Sequence, residues 1–243
     1  MSKIKVKSQD FIKFIKYLGI KGDASNLDAV IDIDETCIKV LAFSQGKEIV
    51  LRGTLNGEFE KIGKVGISDV SILKKVLALF ENKDNIELSI ENNALKLNSE
   101  DGKIKASCIL KSPDYIKNEL DETTFNTVIS GCKGNEFTFS VDEIKDMMKA
   151  FDIFDTDFLY FKGKGNEIKM RFASKNTENK IVKTITLADT VEDFDIKISH
   201  LLITVLSLFN LPVKLSVKGN SAVYIKVGEE NYTFEYAVAQ MIK

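Results

Sequence analysis

The residues best suited to chemistry are Asp32 and Asp34, in the run Asp32-Ile33-Asp34-Glu35-Thr36 that follows Ala29-Val30-Ile31. Two aspartates two positions apart at the end of an apolar strand suit phosphoryl transfer. Asp32 would attack phosphorus, Asp34 would serve as acid and base, and Mg²⁺ would hold the negative charge. That chemistry needs the strand to run into a helix of a parallel sheet. Residues 37–43 instead continue as a strand, and no glycine follows Asp34. Read as one arm of an antiparallel hairpin, the segment points Ile31 and Ile33 inward and leaves both aspartates in solvent.

Other reactive constellations are missing. The sequence has no phosphate-binding glycine loop, no nucleophile elbow and no HExxH zinc motif. Gly163-Lys164-Gly165 is too short for a phosphate loop and reads as a turn between strands. The one histidine, His200, reads as a helix-surface residue. Cys37, Cys108 and Cys132 form no CxxC pair, so they read as reduced thiols packed as small apolar groups. No metal or cofactor is implied.

The composition, 44% hydrophobic and 29% charged over 243 residues, is that of a globular chain. With 34 basic and 36 acidic residues the formal charge is −2, so a nucleic-acid contact would have to use a local patch. Residues 1–7 alternate lysine with apolar groups and do not read as a signal peptide. No apolar run approaches the length of a membrane span, and a cytoplasmic location is expected.

The elements that must position these residues follow from period. Residues 3–7 alternate as a strand. Ser8 reads as the cap of a helix with Phe11, Ile12, Ile15 and Leu18 on one face, closed by Gly19 and Gly22. Strands are expected at 27–33, 37–43 and 49–55, and a helix at 68–80 with Leu73, Val76, Leu77 and Phe80 inward. Three more strands are expected near 86–90, 94–98 and 103–110. The scheme then repeats. Ser140 with Glu143 forms a capping box before the stripe Ile144, Met147, Met148 and Phe151. Strands follow near 158–162, 167–173 and 181–187, a helix near 199–209, and strands near 213–218, 222–227 and 232–239.

The repeat has a period of about 130 residues. Ser8-Gln9-Asp10-Phe11-Ile12-Lys13 matches Ser140-Val141-Asp142-Glu143-Ile144-Lys145 as S-x-D-x-I-K. Val76-Leu77-Ala78-Leu79-Phe80 matches Val205-Leu206-Ser207-Leu208-Phe209. Ile86-Glu87-Leu88-Ser89-Ile90 matches Val213-Lys214-Leu215-Ser216-Val217, and Leu95-Lys96-Leu97 matches Ile225-Lys226-Val227. Two domains are therefore expected, 1–112 and 135–243, joined by an exposed connector at 113–134 that carries some apolar groups. The fold class is α+β, with each domain placing two helices on antiparallel sheets.

A duplicated domain of this kind resembles the DNA sliding clamps of the two-domain type. Residues 67–80, Ser99-Glu100-Asp101-Gly102-Lys103-Ile104-Lys105 and Val182-Lys183-Thr184-Ile185-Thr186-Leu187-Ala188-Asp189 look most like the clamps of tailed phages. The resemblance implies a homotrimeric ring that encircles duplex DNA irrespective of sequence, tethers a DNA polymerase and needs an ATP-dependent clamp loader. It implies no catalysis. A diffuse positive lining would come from Lys13, Lys16, Lys74, Lys75, Lys145 and Lys149 on the helices. Subunits would join through strand edges at 103–111, with Lys103, Ile104 and Cys108, and at 181–188, with Ile181, Lys183 and Ile185. Partner peptides would dock beside Tyr115 and Ile116 of the connector and Tyr236, Val238 and Met241 near the end of the chain. Two alternatives stand beside this reading. One is a Mg²⁺-dependent phosphatase of the haloacid-dehalogenase type, from Asp32 and Asp34. The other is a β-rich scaffold protein that does not bind DNA.

Overall fold

The computed structural model describes residues 3–18, 28–44, 46–117, 119–154, 158–173, 180–219 and 222–240. The chain divides into two units. The first comprises residues 1–47, 51–122 and 228–234, and the second comprises 48–50, 123–227 and 235–243.

In the first unit, β1 (Lys3–Lys7) alternates exposed lysines with buried Ile4 and Val6, as a strand with one wet face must. Helix α1 (Ser8–Leu18) follows at once and buries Phe11, Phe14, Ile15 and Leu18. Burying each such side chain contributes roughly 1.5–3 kcal/mol. Phe14 and Tyr17 meet Phe234 at ring-centroid distances of 5.4 Å. Ser8 does not cap this helix. Its hydroxyl is buried and unbonded among the described residues, while its N–H donates to the Asp84 carbonyl at 3.0 Å. The expected stop at Gly19 and Gly22, and Leu27 at the start of the next strand, lie outside the described residues.

Four strands come next: β2 (Ala29–Ile33), β3 (Cys37–Phe43), β4 (Ile49–Asn56) and β5 (Gly63–Ile67). The strand β5 went unseen in the sequence because Gly63 and Gly66 break its alternation. Gly66 has a reason to be there. It pairs with Lys111, and a Cβ at Gly66 would collide with the Lys111 carbonyl oxygen. Helix α2 (Val70–Leu77) begins two residues later than expected. Its cap is Asp69, whose carboxylate accepts from the Ile72 N–H at 3.0 Å. The expected inward residue Val76 is only half-buried. A single 3₁₀ turn, Ala78–Phe80, leads to β6 (Asn85–Glu91), β7 (Ala94–Ser99) and β8 (Lys105–Lys111). The strand order is β1-β6-β7-β8-β5-β2-β3-β4, with α1 packed beside α2.

The connector is not wholly extended. Pro113–Tyr115 makes a 3₁₀ turn, and α3 (Glu122–Cys132) is a helix that buries Phe125, Ile129 and Cys132. Those three lie at i, i+4 and i+7, a helical stripe that the Thr- and Ser-rich flanks conceal.

In the second unit, β9 (Asn135–Phe139) leads into α4 (Val141–Phe154). The capping box forms as expected: the Glu143 N–H donates to Ser140 Oγ at 3.2 Å, and the Ser140 N–H donates to Glu143 Oε2 at 2.8 Å. Ser140→Ala is expected to lower stability by about 1 kcal/mol, read as a reduced urea midpoint at unchanged slope. Then come β10 (Phe158–Ala173) and β11 (Lys180–Ser199), paired antiparallel along their lengths.

Neither strand is straight. The Arg171 guanidinium lies 4.0 Å from the Tyr160 ring centroid, whereas an extended chain would separate those residues by about 36 Å. The ribbon doubles back at Gly165, which has φ +61°, where the register also shifts. Four legs result, 158–163, 165–173, 180–187 and 191–199, in place of β2 to β5. The sequence missed only the last of them. Helix α5 (Leu201–Leu206) is shorter than expected. The chain ends with β12 (Val213–Val217), β13 (Ala222–Glu229) and β14 (Tyr232–Ala239), in the order β14-β13-β12-β9. No helix among the described residues is long and apolar enough to cross a membrane.

Candidate nucleic-acid interface

Helix α1 turns Gln9, Lys13 and Lys16 away from its buried stripe, at i, i+4 and i+7. Lys13 is already engaged. Its ammonium lies 3.0 Å from Glu229 Oε2 and 5.6 Å from the Tyr232 ring centroid. The Glu229 carboxyl is held below its ordinary pKa, first by the hydrogen bond from Lys13. The carboxylate is therefore ionised at neutral pH, and it offsets the Lys13 charge. Lys16 lies 5.9 Å from the Tyr17 ring centroid. On α2, Lys75 is exposed and Lys74 half-buried. On α4, Lys145 and Lys149 are exposed, with Lys145 Nζ 3.5 Å from Asp142 Oδ1. Among the described residues no carboxylate lies within ion-pair distance of Lys16, Lys75 or Lys149. The last helix adds His200, which stacks on Phe151 with ring centroids 6.1 Å apart.

The expected strand edges are edges. From Lys105 to Ile109, β8 pairs with β7 on one side, and among the described residues its other side meets β5 only at Leu110 and Lys111. Residues 180–186 of β11 pair with β10 on one side and with no strand on the other among the described residues. Of the residues expected to lead these contacts, Cys108 is the one that burial corrects. Cys108 is buried in its own unit, Lys103 sits in the turn before β8, and Ile104 is half-buried with its N–H on Ser99 Oγ. Ile181, Lys183 and Ile185 are half-buried, and Lys183 Nζ lies 3.1 Å from Asp146 Oδ2 of α4. Side chains alternate along a strand, so the apolar groups in solvent are their neighbours, Ile109 at 75% and Val182 at 50% exposure. Two more exposed apolar residues, Leu79 at 62% and Ile153 at 67%, follow α2 and end α4, the helices beside these edges. For Leu79 and Ile153 the signal was in the sequence: each falls outside the apolar stripe of its own helical segment.

The connector residues divide. Tyr115 is 73% exposed, but Ile116 is buried. Tyr236 and Val238 are buried in the second unit, Tyr236 edge-on to Phe209 at 5.9 Å, so they build the core and present no docking surface. Met241 lies outside the described residues. A groove of about 540 Å³ in the first unit went unforeseen. Val30, Asp32, Lys39, Leu41 and Lys64 line it, and residues 119–122 run along it. The Leu120 N–H donates to the Leu41 carbonyl at 3.3 Å, Glu119 forms an isolated bridge with Ala42, and Lys64 binds Glu119. That contact raises the Lys64 pKa.

The phosphoryl-transfer arrangement is absent. β2 turns directly into antiparallel β3, with Ile33 opposite Ile38. Asp34 occupies the turn, accepting from the Glu35 N–H at 2.9 Å and facing Lys61 at 3.3 Å. These contacts lower its pKa.

No family model matches the sequence, and no curated protein matches it. Solved structures do match. The proliferating cellular nuclear antigen of Entamoeba histolytica aligns over 100% of both chains with a TM-score of 0.80 at 16% identity. The proliferating cell nuclear antigen of A. fulgidus, solved with the C-terminal region of FEN-1 bound, aligns over 100% of this chain and 99% of its own, at TM-score 0.76 and 15% identity. A putative DNA polymerase III beta subunit from Eubacterium rectale aligns over 100% of this chain and 65% of its own, at TM-score 0.72 and 13% identity. At these identities the likeness is one of fold: from end to end, the chain has the fold of the DNA sliding clamps.

Proposed function

We propose that this protein is a sliding clamp that encircles duplex DNA and tethers a DNA polymerase. Three copies join head to tail, the β8 edge of one against the β11 edge of the next. The observation that carries this reading is the pair of unpaired strand edges, each flanked by exposed apolar residues, in a chain of clamp fold. Exposed strand edges with apolar neighbours call for a partner, and a heterologous contact that closes gives a ring. The two domains, 1–112 and 135–243, then supply six similar units around the hole. Lysines on α1, α2 and α4 face the phosphates without reading bases, which permits sliding.

The protein does no chemistry of its own. Its effect is to keep the polymerase at high local concentration at the primer end. An ATP-dependent loader opens the ring, and the cytoplasm is the site of action. Partner peptides dock at the connector beside exposed Tyr115; the A. fulgidus clamp also binds a peptide segment, the C-terminal region of FEN-1. The phosphatase and the DNA-free scaffold are disfavoured by the β2–β3 hairpin and by the clamp fold respectively. The test is topological. Protein loaded on nicked circular DNA should stay bound through a high-salt wash and leave when the circle is cut. Equal loss from circular and linear DNA would overturn the proposal.

A further inference from the structure

The second unit repeats, 130 residues on, the sheet face that the connector covers in the first. Val30 corresponds to Tyr160 and Leu41 to Arg171. The cross-strand pair Asp32 and Lys64 returns with its signs exchanged, as Lys162 and Asp195 at 3.5 Å. In the first unit this face holds an extended acidic segment. Glu119, Leu120 and Glu122 lie along it, with Glu119 on Lys64 and Glu122 Oε1 3.0 Å from Arg52.

In the second unit the face carries aromatic rings with cations over them. Arg171 sits 4.0 Å above Tyr160 and Lys197 sits 3.8 Å above Phe158. The two rings meet edge to face at 5.4 Å. Among the described residues no carboxylate pairs with Arg171 or Lys197. A guanidinium stacked on a ring is held in one orientation, with its N–H fork free to take both oxygens of a carboxylate. Each ring already carries a cation, which competes with any nucleobase for an aromatic face.

We propose that this face of the second unit is a docking site for an extended acidic segment of a partner protein, with a leucine-like residue between carboxylates. Its chemistry is that of residues 119–122 on the first unit. Arg171 and Lys197 take the carboxylates, and the apolar residue lies on the edges of Phe158 and Tyr160. The proposal is independent of ring closure.

The test is a titration of the ¹⁵N-labelled full chain with a blocked peptide of residues 119–124, followed by amide chemical shifts at low and high salt. Saturable shifts are expected at residues 158–162, 169–171 and 195–197, weakened by salt. The isosteric peptide with Gln and Asn for Glu and Asp should shift nothing. The double variant Arg171→Ala/Lys197→Ala should bind at least tenfold more weakly, and Arg171→Lys should fall between, since it keeps the charge and loses the fork. Four results would each overturn the site: no shifts at saturating peptide, shifts confined to residues 30–41, equal binding of the neutral peptide, or tighter binding of a single-stranded oligonucleotide to the same residues.

Discussion

Ile109→Asp is expected to leave a folded monomer at concentrations where the unaltered chain is a trimer. Ile109 stands in solvent on an unpaired edge, so the exchange should change the stability of a lone chain by no more than about 0.5 kcal/mol. In the proposed ring the same position is covered by the next subunit, and a carboxylate there is buried without a partner. That costs about 3–5 kcal/mol per contact, which lowers each association constant by roughly a hundredfold to several thousandfold. Val182→Asp should do the same from the other edge. A head-to-tail contact uses one edge of each kind. An equimolar mixture of the two variants therefore keeps one intact contact per pair, and should form heterodimers and nothing larger. Sedimentation velocity on each variant and on the mixture reads all three outcomes, with circular dichroism as the check on folding. Trimers in either single variant would remove this edge pairing.

The helices and most strands were legible because their signals are local. The stripe Phe11, Ile15 and Leu18 and the box Ser140 with Glu143 declare themselves within one or two turns. β5 was hidden because its glycines, one of them demanded by the close approach to Lys111, carry no side chain to show a period. α3 was hidden because its three buried residues are spaced among threonines and serines that also suit a loop. Residues 105–109 and 180–186 do lie at sheet edges, but which of their faces is exposed was not legible. Alternation fixes two sets of residues, and only packing decides which set faces the core: Cys108 is buried and Ile109 exposed. Tyr236 and Val238 failed for a related reason: apolar residues in a last strand look alike whether they line a pocket or fill a core.

The lysine lining was visible only as a count of charges. What the sequence could not show is which charges are already spent. Glu229 lies 216 positions from Lys13, and only the fold brings them together. This sets the second large expectation, in which the six lysines are unequal. Each lysine that neutralises a phosphate adds about 0.9 to the slope of log K against log salt. Lys16→Ala/Lys75→Ala/Lys149→Ala removes cations that no carboxylate pairs with among the described residues. It should weaken duplex binding by more than tenfold and flatten the salt slope. Lys13→Ala should do little, because Glu229 already offsets that charge. Glu229→Gln should tighten binding and steepen the slope, by releasing Lys13 toward the phosphates. The pair lies at the surface, each side chain more than a third exposed, so breaking it should cost at most about 1 kcal/mol of folding stability. Fluorescence anisotropy on a labelled duplex across a salt series measures slope and affinity together. Equal slopes for the triple variant and the unaltered chain would take the helices out of the DNA path. A loss in Lys13→Ala as large as in Lys75→Ala would mean that Lys13 abandons Glu229 when DNA is present.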